Sequence, residues 1–200
     1  MAARTEVLDT GRRSARERLL ASANELFYDE GIQTVGIDRV IEHARVAKAS
    51  LYNTFGSKEE LIRAYLDSRR ESLATRITAV VERFTTPRER LLGVFDAQQE
   101  IISDSDYRGC AFARASAEAR PGSCVMDAAR AYRSWVRALL TRLAGEAGLP
   151  DPDAFARQLH LLYDGAGQAA RMDGDLSASL AAREVAEALL DAALADRGTP

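Results

Sequence analysis

The sequence predicts an all-α protein. Apolar side chains recur at three- and four-residue spacing throughout the 200 residues, and no run of Val, Ile and Thr alternates with polar residues over the roughly five or six positions of a strand. Helix starts also carry capping boxes. In each box a Ser or Thr side chain accepts a hydrogen bond from the backbone N–H three residues later, and the Glu at that position accepts one from the backbone N–H of the Ser or Thr. With 46% hydrophobic and 28% charged residues, the chain has the composition of a globular protein that forms its own core.

The N-terminal elements are expected to be one medium helix and two short ones. A capping box from Ser14 to Glu17 starts the first helix, which extends to about Glu30 and can end at Gly31. The two short helices follow, one carrying Ile37, Val40, Ile41 and Ala44, and one from Lys48 to about Thr54 with Leu51 facing inward.

Longer helices are expected over the rest of the chain. One begins at the capping box Ser57 to Glu60 and ends before Pro87, which is itself the first helical residue after the box Thr86 to Glu89. The remaining helices are expected around Phe112 to Ala119, from about Ser123 to Ala144, from Asp151 to just before Asp173, and from about Ser177 to Ala195.

Composition narrows the class of function. Cys110 and Cys124 are too few for a disulfide framework and lack the spacing of a zinc or dithiol site, and the two histidines form no cluster of metal ligands. Met1 to Thr10 contain no apolar run typical of a signal peptide, and no stretch of about 18 apolar residues occurs. We therefore expect a cytoplasmic protein with no membrane contact, metal or cofactor. The chain also lacks a catalytic constellation or phosphate-binding glycine loop, so an enzyme is not expected.

The segment between Glu42 and Glu59 contains no acidic residue but carries Arg45, Lys48 and Lys58. Two short helices joined by a tight turn form a helix-turn-helix, whose second helix fits the major groove of DNA. Phosphate would repel a carboxylate there, whereas lysine and arginine gain by releasing counterions. The net charge of -3 is not that of a generally basic nucleic-acid binder, so DNA binding must depend on local charge. An ordinary αα-hairpin is the alternative.

A longer pattern surrounds this segment. It consists of Leu26-Phe27 with Gly31, Ile37-x-x-Val40-Ile41, and Val46 to Tyr52 leading into Phe55 to Leu61. Over nearly all of residues 14–66 the chain thereby resembles the TetR family of bacterial transcriptional regulators. The resemblance implies a helix-turn-helix DNA-binding domain with a basic arm over residues 1–66. It further implies that a long helix links this domain to a helical domain over 67–200 that binds an effector and forms a dimer.

The resemblance also implies roles for individual residues at an interface with double-stranded DNA. Asn53 is the side chain expected to bind a base, with an exposed amide that has no partner as the alternative. Lys58 is expected on the DNA backbone, since a cation in a first helical turn is otherwise unfavourable, with a solvated surface lysine as the alternative. Tyr52 is expected either on phosphate or half-buried against the first helix. The residues expected to face the groove are Lys48, Ala49, Ser50, Tyr52 and Asn53. A basic cluster that either follows the DNA or solvates the helix end comprises Arg12, Arg13, Arg16 and Arg18.

The DNA-binding segment departs from the family pattern at several positions. Arg45 stands where the family usually has a glycine in the turn, and it adds a charge. Gly36 stands where a Ser or Thr commonly caps the second helix, although glycine is a tolerated N-cap whose N–H can still meet a phosphate. Asn53 and Thr54 replace bulkier aromatic or His residues, so the base preference of relatives does not transfer.

The last two long helices are rich in Gly and Ala, which let helices approach closely. We expect them to form a homodimer through a four-helix interface, with an intramolecular contact as the alternative. Aromatic and polar side chains of the C-terminal domain are expected to line an effector site, or else to be ordinary core. They are Phe84, Phe95, Phe112, Met126, Tyr132, Trp135, His160 and Tyr163.

The sequence thus predicts a repressor that a small-molecule effector releases from a palindromic operator. One alternative is a regulator that senses redox state through Cys110 and Cys124, which are otherwise two unreactive thiols. A helical interaction module that does not bind DNA is a further alternative.

Overall fold

The structure, a computed structural model, describes residues 13–195, and all of the regular secondary structure within that range is α-helical. This confirms the predicted all-α fold. No helix in the same range is long and apolar enough to cross a membrane. The helices are α1 (Ala15–Glu30), α2 (Ile37–Ala44), α3 (Lys48–Phe55), α4 (Lys58–Val81), α5 (Pro87–Ile102), α6 (Ala111–Glu118), α7 (Cys124–Glu146), α8 (Pro152–Met172) and α9 (Ala178–Ala195).

Side-chain caps fix the starts of several helices. At the start of α1 the Glu17 N–H donates to Ser14 Oγ at 3.2 Å, and the Ser14 N–H donates to the Glu17 carboxylate at 2.7 Å. Thr86 and Glu89 form the same reciprocal pair before α5, with Pro87 at its first position. Two further caps accept from one N–H each. The Glu60 N–H donates to Ser57 Oγ at 3.1 Å, and the Ala154 N–H donates to Asp151 Oδ1 at 2.9 Å. The predicted helix starts are therefore set by local hydrogen bonding.

The chain forms two compact units. Among the described residues, the first contains those up to Arg69 together with Arg114–Ala128, and the second contains Arg70–Ala113 and those from Ala129 to Ala195. Residues 114–128 thus pack with the N-terminal unit, although the expected division after residue 66 assigns them to the C-terminal domain. The physical reason is a set of hydrogen bonds between α6 and the end of α1.

In the first unit, α1 packs against both α2 and α3, and α2 packs against α3. Phe27 meets Tyr65 edge to face, with ring centroids 5.6 Å apart. Burial raises the pKa of the Tyr65 hydroxyl to about 12. The fully or almost fully buried side chains of this core include Leu19, Ala23, Leu26, Phe27, Val35, Val40, Leu51, Leu61, Tyr65 and Leu66. Leu51 anchors α3 in that core, which leaves the opposite side of this short helix exposed.

In the second unit, α5 packs against α8 and α9, which also pack against each other. A buried polar bridge ties the three helices together. Ser179 Oγ lies 2.9 Å from the Phe95 carbonyl oxygen and 3.0 Å from Gln98 Oε1, so its one hydroxyl hydrogen is shared between these two acceptors. Gln98 Nε2 donates to the Tyr163 carbonyl at 2.7 Å. Because these buried polar groups are satisfied, the bridge fixes the register of α9 on α5 without an uncompensated desolvation cost.

Candidate nucleic-acid interface

A tight left-handed turn joins α2 to α3. Arg45 has φ 52° and ψ 51°, and it is the one non-glycine residue with positive φ between residues 13 and 195. The Arg45 N–H donates to the Glu42 carbonyl at 3.0 Å, and the Val46 N–H donates to the Ile41 carbonyl at 3.3 Å. This is the hydrogen bonding of a Schellman motif, which ends one helix and redirects the chain into the next. The two short helices therefore form the predicted helix-turn-helix.

The two sides of α3 have opposite environments. Leu51 is fully buried, whereas the Tyr52 side chain is 46% exposed. Lys48, Ala49, Asn53 and Thr54 are also exposed, and Ser50 is half-buried. The residues expected to face DNA thus lie together on the surface of one helix, and none of the residues of α3 is acidic. An exposed, acid-free helix of this kind has the shape and charge to enter a major groove.

Lys48 is engaged by an acidic neighbour that the sequence pattern does not reveal. Its Nζ donates to Asp38 Oδ1 at 2.9 Å, and this hydrogen bond raises the pKa of Lys48 above its usual value. Asp38 is the acidic residue in the first turn of α2, ten positions away along the chain. The packing of α2 against α3 brings a carboxylate to the acid-free helix.

The flanks of the helix-turn-helix hold Gly36 and Lys58. Gly36 is the N-cap of α2, has φ -78° and ψ 158°, and makes no side-chain cap. A β-carbon placed there would meet no atom within 4 Å, so the position is open to solvent. Lys58, the first residue of α4, is half-buried, and this burial lowers its pKa against the opposing effect of the Glu118 carboxylate.

The N-terminal basic cluster is bound largely to its own unit. The Arg16 guanidinium lies 5.5 Å from the centroid of the Phe55 ring, and Arg18 Nη1 donates to the Arg45 carbonyl at 3.3 Å. Arg13 is exposed, and Arg12 lies outside the described residues. Arg16 and Arg18 therefore support the helix-turn-helix from α1, one at the end of α3 and the other at the turn.

Side chains of α6 form hydrogen bonds with the backbone at and just after the end of α1. Arg114 Nη1 donates to the Tyr28 carbonyl, and its Nη2 reaches the Asp29 carbonyl at 3.5 Å. The Gln33 N–H donates to Glu118 Oε2 at 3.0 Å. The last carbonyls of a helix have no partner within it, so a guanidinium is a favourable cap at that end. Sequence analysis missed this contact because its partners are up to 86 residues apart.

Several of the expected effector residues lie together in the second unit. The Phe112 and Tyr132 rings are stacked with centroids 4.3 Å apart, and Tyr132 lies at a centroid distance of 6.4 Å from Trp135. Tyr163 meets Phe95 at 6.5 Å, and its hydroxyl is hydrogen-bonded to that of Tyr132 at 3.1 Å. These residues form an aromatic cluster in which Trp135 is half-buried and the other four rings are buried, with the hydroxyls of Tyr132 and Tyr163 hydrogen-bonded to each other.

Charged groups border this aromatic cluster. His160 is 4% exposed, and its Nε2 lies 3.7 Å from Asp164 Oδ1, which also pairs with Arg133 Nη1 at 2.6 Å. Burial lowers the pKa of His160, while the Asp164 carboxylate acts in the opposite direction. Burial also raises the pKa of both Tyr132 and Tyr163. The two hydroxyls are therefore neutral at pH 7 and can both donate and accept hydrogen bonds.

Two of the expected effector residues lie elsewhere. Met126 belongs to the first unit. Phe84 packs on Gly93, where a β-carbon would lie 2.7 Å from its ring atoms. Phe84 therefore fills the space that a glycine of α5 leaves, which is the packing expected of an ordinary core residue.

The two cysteines offer no support for redox sensing. Both thiols are free, and they belong to different units, Cys110 to the second and Cys124 to the first. Burial raises the pKa of each thiol. Because the thiolate is the reactive form, a raised pKa makes a thiol less reactive at neutral pH.

Comparison with known proteins places this arrangement in a family. Residues 19–65, which run from within α1 into the first part of α4, match the model of bacterial regulatory proteins of the tetR family. A TetR-family transcriptional regulator from Streptomyces coelicolor, SCO4454, has a similar crystal structure. It is 35% identical, with a TM-score of 0.83, and the match covers 90% of this chain and 95% of that one.

Two curated relatives come from Mycolicibacterium smegmatis. The HTH-type transcriptional activator FasR is 34% identical over 47% of this chain and 42% of its own length. The HTH-type transcriptional repressor KstR2 is 32% identical over 44% of this chain and 43% of its own length. These two matches span less than half of each relative. Together with the match to SCO4454 over almost its whole length, they show that the chain belongs to the TetR family of transcriptional regulators, with an N-terminal helix-turn-helix DNA-binding domain.

Proposed function

We propose that the protein is a homodimeric repressor that binds a palindromic DNA operator and is released from it by a small-molecule effector. The observation that carries this proposal is the outward face of α3. Lys48, Tyr52 and Asn53 are exposed on an acid-free helix whose opposite side is anchored by the fully buried Leu51. A rigidly held helix of this composition is suited to the major groove.

Each exposed residue of the helix-turn-helix has a chemistry that suits DNA. Lys48 and Arg45 supply charge to neutralise phosphates, and the Tyr52 hydroxyl can donate to a phosphate oxygen. Asn53 carries an amide that can bind adenine through two hydrogen bonds. Lys58 and the open N-cap at Gly36 lie at helix N-termini, where backbone N–H groups favour an anion. Ala49 is small enough for α3 to approach the base edges closely.

The exposed apolar residues support dimerisation through α8 and α9. Among the described residues, the large exposed apolar side chains other than Tyr52 lie on these two helices or in the turn between them. They are Leu161, Met172, Leu176, Leu180 and Val185. Gly165 of α8 is exposed and has open space around its α-carbon, so a second helix can approach it closely. An apolar surface of this kind is typical of an interface, and pairing it with its symmetry mate buries it on both subunits.

The aromatic cluster of the second unit is the proposed effector site. Its rings supply apolar contact area, and the Tyr132 and Tyr163 hydroxyls supply polar groups that are now bonded to each other. A ligand with an aromatic or aliphatic body and one or two hydrogen-bonding groups suits such a lining. The effector releases DNA if it binds more tightly to the state of the protein that does not hold the operator.

A binding titration tests the proposal. The probes are the DNA upstream of the protein's own gene and a duplex selected by the protein from a random-sequence pool, each with excess nonspecific competitor. We expect a complex that resists competitor and that Lys48→Ala weakens at least about tenfold, a typical loss for a residue at the centre of the interface. Arg120→Ala, which removes an exposed charge shortly after α6 and away from α8 and α9, is the matched control and should bind as the wild type.

Two results would count against this function. If selection from the random pool enriches no sequence, the proposed sequence-specific DNA binding is wrong. In vitro transcription from the selected site shows whether the protein represses or activates, since the two curated relatives are an activator and a repressor. Increased transcription on adding the protein would replace repression by activation.

A further inference from the structure

The ion pair between Asp38 and Lys48 joins the two helices of the helix-turn-helix on their exposed side. Lys48 Nζ lies 2.9 Å from Asp38 Oδ1, and the Asp38 and Lys48 side chains are 83% and 60% exposed. Asp38 and Lys48 lie in the first turns of α2 and α3, and neither helix has a side-chain N-cap hydrogen bond. The pair therefore lies on the surface where a phosphate would be bound.

A phosphate that binds Lys48 must compete with Asp38. An oxygen within hydrogen-bond distance of Lys48 Nζ lies within about 6 Å of the carboxylate as long as the ion pair is intact, which is shorter than the screening length at physiological salt. The negative charges then repel each other. Because exposed ion pairs contribute little stability, Lys48 can exchange the carboxylate for a phosphate, but each such exchange lowers the net gain from the contact.

This competition affects nonspecific and specific complexes differently. Nonspecific binding rests almost entirely on phosphate contacts, so weakening one of them reduces it directly. A specific complex forms in one fixed register, in which Lys48 contacts DNA from its position beside Asp38 and need not exchange the carboxylate for a phosphate. In addition, Asp38 restrains the flexible lysine side chain in one position before DNA arrives, which lowers the entropy cost of a contact made in one fixed register.

We propose that Asp38 is a specificity-determining residue, which weakens binding to nonspecific DNA by pairing with Lys48 and keeps Lys48 positioned for the operator. The inference rests on the proposed DNA binding. It assigns a function in recognition to an acidic residue of α2 that itself need not touch a base. The resulting specificity is the ratio of the two affinities, which rises when a competing charge weakens nonspecific binding just as it rises when a base contact is added.

The test compares two duplexes with wild-type protein, Asp38→Asn and Asp38→Ser. One duplex is the sequence selected by the wild type from a random pool, and the other is a mixed-sequence duplex of equal length. We expect both variants to bind the mixed-sequence duplex about three- to tenfold more tightly at low salt, and the selected duplex with less than about twofold change. The gain on the mixed-sequence duplex should shrink as salt is raised from about 50 to about 300 mM.

Two controls separate pairing with Lys48 from a general loss of negative charge. Glu42→Gln removes one exposed carboxylate from the same helix without touching the ion pair, and its affinities should stay close to those of the wild type. In a Lys48→Ala background, Asp38→Asn should change neither affinity by more than about twofold, because the competition has lost its cation. Thermal unfolding of each variant verifies that the helix-turn-helix remains folded.

The outcomes distinguish this inference from the proposed function. A wild-type protein that binds neither duplex overturns both. A wild-type protein that prefers the selected duplex, with Asp38→Asn and Asp38→Ser leaving the affinity ratio unchanged, overturns the inference alone. The inference also fails if Asp38→Asn has the same effect in the Lys48→Ala background, since the carboxylate then acts without its partner.

Discussion

Arg18 of α1 donates a hydrogen bond of 3.3 Å to the main-chain carbonyl of Arg45, the residue that forms the left-handed turn before α3. At φ 52° a β-carbon lies close to the following carbonyl, which costs a non-glycine residue roughly 1–2 kcal/mol. The contact from Arg18 is one of the interactions that hold the strained residue in place. The turn thus combines an unfavourable backbone conformation with an exposed positive charge near α3.

Replacing Arg45 by glycine should make the protein more stable. Glycine adopts the left-handed region without steric cost, although its freer unfolded chain offsets part of that gain. We expect the free energy of unfolding of Arg45→Gly to rise by about 0.5–1 kcal/mol, measured by urea denaturation at an unchanged m-value. DNA affinity should fall by a few-fold, because one cation is lost from the interface.

Arg45→Ala separates strain from charge. It loses the same cation but keeps a β-carbon, so it should bind DNA as weakly as Arg45→Gly without the gain in stability. If Arg45→Gly is less stable than the wild type, the arginine side chain stabilises the turn by more than the left-handed conformation costs.

The features predicted correctly from the sequence are those that depend on near neighbours. The capping pair of Ser14 and Glu17 and the inward side of α3 at Leu51 follow from spacing within one helix. Asp38 could not be assigned to Lys48 from spacing alone, because their contact depends on how α2 crosses α3. The pairing of Arg114 with Tyr28 depends on the packing of chain segments 86 residues apart.

The expected effector residues likewise show that sequence spacing identifies buried positions but not the contacts between helices. Helical periodicity identifies inward-facing side chains such as Tyr132 and Tyr163 but does not say which ones meet. Phe84 was indistinguishable from them in sequence, yet it packs on Gly93, whose missing side chain leaves room for the ring. Which aromatic residues share a cluster is decided by helix packing, which periodicity does not encode.

Removing the Arg114 side chain should destabilise the first unit. Its guanidinium binds the carbonyls of Tyr28 and Asp29, and these charge-assisted bonds occupy acceptors that the helix itself leaves unpaired. We expect Arg114→Ala to lower the free energy of unfolding by about 1–2 kcal/mol in urea denaturation. Arg120→Ala, which removes an exposed arginine shortly after α6, should stay within about 0.5 kcal/mol of the wild type. Equal stability of the two variants would show that the contact with α1 contributes nothing.

A charge on the exposed face of α8 should weaken self-association. Leu161 is 72% exposed in the single chain and lies on the face proposed to pair with a second copy. Burying a carboxylate there without a partner is unfavourable, so Leu161→Glu should raise the dimer dissociation constant at least about tenfold. Analytical ultracentrifugation over a concentration series measures this constant. Ala138→Glu on the exposed side of α7 is the matched control and should leave the dissociation constant unchanged. If Ala138→Glu weakens the dimer and Leu161→Glu does not, the subunits pair through α7 and not through α8.

The capping box before α5 should make stability depend on pH. Hydrogen bonds from Thr86 lower the pKa of Glu89 below its usual 4.5 in the folded protein. A carboxylate with a lowered folded-state pKa stabilises the protein above its unfolded-state pKa, and this stabilisation is lost as the pH falls through the folded-state value. Glu89→Gln should therefore melt at a lower temperature than the wild type at pH 7, with the difference shrinking below about pH 4.5. Glu82→Gln, an exposed charge change just before this box, should show no such convergence.

The cysteines should be slow to react in the folded protein, and peroxide should leave DNA binding unchanged. Burial raises the pKa of Cys110 and Cys124, so little thiolate is present at pH 7. We expect alkylation of both thiols by iodoacetamide at pH 7 to be at least about tenfold slower than that of free cysteine, and to accelerate on unfolding in urea. The DNA affinity of the double variant Cys110→Ser/Cys124→Ser, with and without peroxide, should match that of the wild type. Rapid labelling of either folded thiol at pH 7, together with a peroxide effect that the double variant lacks, would restore redox sensing as the signal to which this regulator responds.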